Sequence, residues 1–222
     1  MSIVSTNTLP GALWNEGTFL TATNGVHNLA LNITNTGLME LRPGTVEVSS
    51  AQFFQVGGEL RLNGAQLNLR PNIFTDRPPL VLAGGELSGT GSIGFSGSGG
   101  STTVTNLGTL LKPGLPLGVL GFNQRLSLAP GSTVEIELGG TTAGTQHDQL
   151  AVTGTIRLGG ALRLRLRDGF VPAVGDQFTV ATFSSRGGTT FANVEGQNIG
   201  GGKRLDVVHE STRVLVRCVD SP

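Results

Sequence analysis

The sequence predicts an all-β protein that winds as a right-handed parallel β-helix, a solenoid in which each coil stacks on the coil before it. Glycines recur every 20 to 27 residues in the first half of the chain, and each is followed two positions later by an apolar residue. Glycine makes up 35 of the 222 residues and charged residues only 14%, which favours strands and tight turns over helices. The recurring pairs are Gly17 with Phe19, Gly37 with Met39, Gly58 with Leu60, Gly85 with Leu87, and Gly108 with Leu110.

Residues 12–110 have the pattern of short strands divided by turns. Alternating apolar residues indicate strands with one buried face, as in Leu29-x-Leu31-x-Ile33 and Leu67-x-Leu69. The triplets that begin at Asn15, Asn35 and Asn106 read Asn-x-Gly, which suits sharp bends between the faces of a coil. Asparagine side chains at equivalent bends are expected to stack into a ladder.

Two segments interrupt the rhythm and are predicted to be protruding loops. Residues 70–80 contain three prolines, which cannot donate to a central ladder. Residues 94–103 are rich in glycine and serine. The chain therefore divides into solenoid coils over residues 1–121, carrying both loops, and a second part over residues 122–222.

From residue 122 onward the predicted strands are longer and alternate more cleanly, as in Val134-x-Ile136-x-Leu138. This part either continues the solenoid or forms a β-sandwich-like C-terminal cap, and the sequence leaves both open. Counting all anchors and strands gives about nine coils, which at about 4.8 Å per coil is a rod near 40 Å long.

Composition and charge limit the classes of partner. The formal net charge is +0 and no long basic stripe occurs, so no nucleic acid partner is expected. No stretch approaches the length of a membrane span, and the N-terminal residues lack the pattern of a signal peptide. Cys218 is the single cysteine, which excludes an intrachain disulfide.

The residues that carry catalysis or bind metals do not cluster in the sequence. His27, His147 and His209 lie far apart, without metal-ligand spacing. The aspartates are scattered, so neither a carboxylate pair nor a calcium site is indicated, and no catalytic residue, metal or cofactor is expected. Asp148 is interpreted as a side chain that pins a turn.

Three arginines form the candidate contact for a ligand or partner. Arg163, Arg165 and Arg167 alternate with leucines, so a strand would place them on one face. They either pair with Glu135 and Glu137 across neighbouring strands or bind a sulfated or uronic polysaccharide.

Aromatic residues offer a second candidate contact. Of the pair Phe53–Phe54 only one can face inward, and Phe54 is taken as the outward contact. Trp14 is interpreted as a core plug at the N-terminal end.

Residues 102–195 carry a further pattern of glycines, prolines and alternating apolar residues: Asn106, Gly108, Pro113, Gly114, Gly131, Asp148, Leu150, Val152, Gly154, Leu158, Gly160 and Leu162. In this pattern the segment resembles the β-helical regions of bacterial autotransporter adhesins and related large secreted surface proteins. The resemblance implies a non-enzymatic structural or adhesive module, located outside the cell or at the bacterial cell surface. Such a module would contact a glycan or protein receptor, further coils of a larger protein, or copies of itself.

Two alternatives to this function remain open at the level of sequence. A solenoid has strand edges at its ends that can template further strands, so the chain could be the subunit of a self-assembling fibre. A β-helix that binds or degrades polysaccharides is the third hypothesis.

Overall fold

A computed structural model describes residues 11–22, 24–49, 52–70, 80–96 and 102–221. The described chain is all β, without a helix, and forms a parallel β-solenoid of about six turns. Its strands are β1 (Ala12–Asn15), β2 (Thr18–Leu20), β3 (Val26–Leu29), β4 (Asn32–Asn35), β5 (Leu38–Leu41), β6 (Gly44–Ser49), β7 (Phe53–Gln55), β8 (Glu59–Arg70), β9 (Leu80–Leu82), β10 (Glu86–Phe95), β11 (Thr103–Asn106), β12 (Leu110–Pro113), β13 (Val119–Phe122), β14 (Arg125–Leu128), β15 (Thr133–Leu138), β16 (Gln149–Val152), β17 (Ile156–Arg157), β18 (Ala161–Leu166), β19 (Gln177–Thr182), β20 (Asn193–Glu195), β21 (Asn198–Gly200), β22 (Lys203–His209) and β23 (Arg213–Asp220).

Each coil contributes strands to three faces. Face 1 is the seven-stranded sheet β1-β4-β7-β9-β11-β14-β17. Face 2 runs β2-β5-β8-β10-β12-β15-β18-β20, and face 3 runs β3-β6-β8-β10-β13-β16-β19, so the long strands β8 and β10 bend to serve both. All of these pairings are parallel, which confirms the predicted solenoid.

The predicted number of nine coils is wrong, because the last part of the chain does not form coils. Seven levels separated by about 4.8 Å give a rod about 30 Å long. Parallel stacking ends at β18, β19 and β20, and β21, β22 and β23 are antiparallel. Because β23 pairs with β19, these three strands extend face 3 as a C-terminal cap within the same sheet.

Apolar side chains pile into columns between the three faces. Phe19, Met39, Leu60 and Leu87 occupy equivalent positions on face 2, and all four are buried. The predicted fifth member, Leu110, is wrong. Leu111 pairs with Leu87 instead, and Leu110 faces outward in register with Glu86, because Gly108 stands three residues before the inward position and Gly85 only two.

A ladder of buried amides runs along the bend between faces 1 and 2, as the Asn-x-Gly triplets predicted. The Asn15 Nδ2 donates to the Asn35 Oδ1 at 2.7 Å, and the Asn35 Nδ2 donates to the Gln55 Oε1 at 2.8 Å. Leu82 takes the next position and ends the ladder. Asn106 lies one coil further and closes its own bend, where its side chain bonds both the N–H and the carbonyl of Thr109.

The two predicted loops fall largely on residues 71–79 and 97–101, which lie outside the described residues. Of their predicted bounds, Arg70 ends β8, Leu80 begins β9 and Gly94 lies within β10. The ends that flank the two segments are neighbours, because the Ser96 N–H donates to the Leu69 carbonyl at 3.0 Å. Both segments therefore attach at the same corner of the solenoid, on adjacent coils.

Candidate functional site

The three predicted arginines lie on or directly after β18 on the outside of face 2. The parallel register of β15 and β18 places Glu135 beside Arg163 and Glu137 beside Arg165. The Arg165 Nε donates to the Glu135 Oε2 at 2.9 Å, and the Arg167 Nη1 donates to the Glu137 Oε2 at 2.6 Å. The predicted opposition of glutamates and arginines across the ladder is confirmed.

Glu135 is the centre of this cluster. It faces outward yet is buried, because Arg163, Arg165 and Lys112 surround its carboxylate at 3.4, 2.9 and 3.7 Å. Burial by itself raises the pKa of Glu135, but hydrogen bonds and charges from the cations outweigh it and hold that pKa below its ordinary value. A buried carboxylate thus stays ionised because cations replace its water.

Arg163 and Arg167 each bind a second carboxylate as well. Arg163 donates to Glu195 on β20 at 2.7 Å, and Arg167 donates to Asp168 at 2.9 Å. A ligand anion at this strip would have to compete with carboxylates already in place. The role of Arg163, Arg165 and Arg167 in binding a ligand stays a prediction, while their structural role is visible in these contacts.

The outer surface of face 1 carries the aromatic candidates. Phe53 is 0% exposed in the core and Phe54 faces outward, so the predicted division of this pair is confirmed. The interpretation of Trp14 as a core plug is wrong: its side chain is 66% exposed. On β1 the inward positions belong to Leu13 and Asn15, and strand alternation sends Trp14 outward.

Strand register aligns these residues in one outward column along face 1. Trp14 stands at the first level, Phe54 at the third and Arg157 at the last. Seven side chains make up the column, here called the face 1 column: Trp14, Thr34, Phe54, Val81, Thr105, Ser127 and Arg157.

A groove of about 340 Å³ opens on face 1 near its C-terminal end. It is lined by Thr103, Arg125, Leu126, Thr155 and Arg157. Both arginines are exposed, and among the described residues neither guanidinium has a hydrogen bond or an ion pair. Of the arginines that the structure describes, all the others contact a carboxylate or a backbone carbonyl.

Sequence reasoning missed Arg125 and Arg157, because they stand singly and do not form a visible pattern. The visible pattern in the sequence is the alternation of Arg163, Arg165 and Arg167 with leucines. Whether a guanidinium is paired depends on which strands are neighbours and in what register, and the sequence supplied neither for β14 and β17.

Asp148 pins two segments together, as the sequence predicted. Its carboxyl is 0% exposed and accepts from the Gly118 N–H at 3.0 Å and from the Glu137 N–H at 2.9 Å. Desolvation raises the pKa of Asp148 to about 7, although the two backbone donors and the nearby Arg167 act in the opposite direction. The side chain joins β15 to the start of β13.

We expect Asp148 to make folding stability fall as the pH rises through about 7. The pKa of this group is raised in the folded state above its ordinary value of 3.8, so its contribution is complete below about pH 4 and is lost above its folded pKa. In urea titrations, the free energy of unfolding of the wild type relative to Asp148→Asn should decline between pH 4 and pH 8, at a limiting slope of about 1.4 kcal/mol per pH unit.

Comparing the two proteins cancels the other titrating groups. Burial lowers the pKa of His147 and of His209, and both histidines are present in each protein. Glu137 and Arg167, which face the carboxyl, are also unchanged. A difference between the two proteins that is independent of pH would show that Asp148 is ionised throughout, and the prediction would be wrong.

The histidines lie apart in the fold as well as in the sequence. The His147 Nδ1 lies 3.0 Å from the Gly140 carbonyl, and the His27 Nε2 lies 3.1 Å from the Ala22 carbonyl. The Phe191 N–H donates to the His209 Nε2 at 3.3 Å. Within the described ranges, no three side chains of histidine, cysteine, aspartate or glutamate are grouped as metal ligands.

The fold defines the class of this protein as a parallel β-solenoid. Comparisons with protein-family models and with curated proteins return no match. In the part of the chain that the structure describes, no helix has the length and apolar character needed to cross a membrane.

Proposed function

We propose that this protein is a non-enzymatic structural and adhesive module that presents loops on a stiff β-solenoid stalk. The observation that carries the proposal is the attachment of two long connections at one corner of adjacent coils. They leave from Arg70 and Ser96, whose side chains lie 3.2 Å apart at Nε and Oγ. Two connections whose flanking residues are neighbours can contribute to one contact surface.

The stalk has the properties that such a role requires. Its coils are held by continuous parallel ladders, a buried core that spans all coils and the amide ladder at one bend. Charged side chains on face 2 pair between coils, as Arg61 on β8 does with Glu40 on β5 at 3.7 Å, and Glu59 on the same strand orients the Arg61 guanidinium at 2.6 Å. These stabilising contacts are spread over all the coils, so the sequence of a loop can change without loss of the scaffold.

A location outside the cell or at the bacterial cell surface is part of the proposal. It rests on the resemblance of residues 102–195 to the β-helical regions of secreted surface proteins. Backbone that is bound into continuous ladders offers few cleavable segments to proteases, which suits exposure to the extracellular medium.

The test uses the full chain on immobilised glycans and extracellular-matrix proteins. We expect binding to at least one of these surfaces, and loss of that binding when residues 72–78 are replaced by a short Gly-Ser linker. The melting temperature should change by less than about 3 °C, because the described strands β8 and β9 that flank the replaced segment keep all their pairings and a change in loop length costs little. As a matched control, a linker of the same kind replaces residues 141–145, which lie on a different connection.

Two outcomes would contradict the proposal. If the chain binds none of the surfaces, or binds as well without residues 72–78, the loop-display function is wrong. Cleavage of acidic polysaccharides by the purified chain, with or without calcium, would show that the protein is an enzyme and not a structural module.

A further inference from the structure

The groove at Arg125 and Arg157 is a site with unsatisfied donors. The two guanidiniums belong to neighbouring strands, β14 and β17, and stand diagonally because Ser127 is the register partner of Arg157. Strand spacing of about 4.8 Å and a rise of about 3.3 Å per residue separate their Cα atoms by about 8 Å. An oxyanion placed between them can reach both forks.

Two hydroxyls complete the donor set. Thr103 and Thr155 line the same groove. Thr103 lies on β11 as the register partner of Arg125, and Thr155 directly precedes β17 on the other side of Arg125. Neither hydroxyl has a side-chain partner among the described residues. Guanidinium forks match the planar or tetrahedral oxygens of carboxylate and sulfate, and threonine hydroxyls donate to the same oxygens.

The charge of the surroundings favours an anion at this groove over one at the arginine strip. Among the described residues, no carboxylate lies within ion-pair distance of Arg125 or Arg157, whereas Arg163 and Arg165 share Glu135. An incoming anion at the groove displaces water alone. At the strip it would displace a carboxylate that is already hydrogen-bonded.

The rest of face 1 indicates a polymer. From Arg157 the face 1 column leads across four coils to Phe54 and across six to Trp14, which is about 19 Å and about 29 Å. The outward rings of Trp14, which is exposed, and of Phe54, which is half-buried, offer apolar faces against which sugar rings can pack, with the Thr34 hydroxyl between them. A chain lying along this column would touch both rings and both arginines.

We propose that face 1 binds an acidic polysaccharide, with Arg125 and Arg157 holding a sulfate or carboxylate group and Phe54 and Trp14 contacting sugar rings further along the chain. This assignment deepens the adhesive function proposed above, on which it rests for its biological role. The site itself is argued from the contacts of face 1 alone. A nucleic acid fits less well, because the net charge is +0 and the described residues of face 1 offer only the two unpaired guanidiniums of Arg125 and Arg157 for phosphate neutralisation.

The experiment measures binding of the full chain to a heparin-type sulfated polymer and to polygalacturonate by isothermal titration calorimetry at low salt. We expect binding to at least one polymer, weakening as salt is raised. Arg125→Ala/Arg157→Ala should reduce the affinity at least tenfold, and Arg125→Lys/Arg157→Lys should retain part of it because charge persists while the bidentate fork is lost. Trp14→Ala/Phe54→Ala should reduce affinity about threefold to tenfold.

The matched control removes the same charge elsewhere. Arg204 and Arg213 are exposed residues on the cap strands β22 and β23. The variant Arg204→Ala/Arg213→Ala should change the affinity less than twofold. Arg163→Ala/Arg165→Ala tests the competing strip, and a loss there equal to that of the groove variant would overturn the assignment. Thermal melting of each variant separates loss of binding from loss of fold, since the side chains of Arg125 and Arg157 are exposed and make no hydrogen bond or ion pair with the described residues.

Three further results would overturn the proposal: no binding to either acidic polymer, equal binding to neutral dextran, or tighter binding to single-stranded polynucleotide. The first leaves the loop-display function standing if surface binding still depends on residues 72–78. Conversely, polymer binding that needs Arg125 and Arg157 but not that loop would support the groove and contradict the loops as the contact surface.

Discussion

Gly58→Ala should destabilise the protein by roughly 3–5 kcal/mol, a large effect for a single methyl group. Gly58 opens face 2 of the third coil with φ of 58°, a left-handed conformation. A Cβ at this position would overlap the carbonyl oxygens of Gly37 and Thr36, which belong to the coil before. The methyl group would therefore separate two coils at a point where backbone packs on backbone. The measurement is the free energy of unfolding in urea.

Gly187→Ala is the matched control. Gly187 has nearly the same φ, 57°, but lies in an exposed turn where a Cβ would meet nothing within 4 Å. Gly187→Ala should lower the free energy of unfolding only by the cost of placing alanine in a left-handed conformation, about 1–2 kcal/mol. Equal losses in the two variants would mean that the left-handed backbone explains everything and that coil contact at Gly58 contributes nothing.

Asn35→Leu should destabilise the protein by about 2–4 kcal/mol, because it breaks the amide ladder at its centre. Asn35 is fully buried, accepts from Asn15 and donates to Gln55 and to the carbonyl of Glu59. The substitution leaves the Gln55 Oε1 without its 2.8 Å donor. Leucine itself fits such a position, since Leu82 occupies the equivalent one two coils later.

The control for the ladder is Asn68→Leu, the same change on the outward side of β8. Asn68 is half-buried there and has no described side-chain hydrogen bond, so the free energy of unfolding should change by less than about 0.5 kcal/mol. If Asn35→Leu is as mild as this control, the ladder contributes shape and not hydrogen bonds.

The solenoid was predictable because its signals repeat. Each coil reuses the same bend and the same inward position, so glycine and leucine recur at visible intervals and agree with one another. The misplacement of Leu110 shows the limit of this argument. A glycine that stands one position earlier in the bend moves the predicted side chain from the inner to the outer side of the strand, and only the register with Glu86 and Leu87 reveals it.

The C-terminal cap was harder to foresee. Strands of a cap and strands of a coil show the same alternation of apolar residues, as in Leu205-x-Val207 and Val214-x-Val216. What distinguishes β22 and β23 is their antiparallel pairing, which depends on a partner remote in sequence. Counting such strands as coils gave nine in place of about six.

The candidate site followed the same rule. Outward orientation was predictable from alternation, which placed Phe54 and the strip of arginines on the surface. The state of each cation was not predictable, because it depends on stacking: Arg163 meets Glu135 and Glu195, while Arg157 meets Ser127. Two outward arginines can therefore differ fully in whether they are free to bind a ligand.

The amide ladder also gives the rod a chemical direction. Each amide donates toward the C-terminal end, so Asn15 has given both its hydrogens to Asn35 and to the Leu38 carbonyl. A further parallel coil stacked on β1 would continue the series only if it placed an amide NH₂ against the Asn15 Oδ1. The two ends of the series thus ask for opposite chemical groups, a donor at the Asn15 end and an acceptor at the Gln55 end.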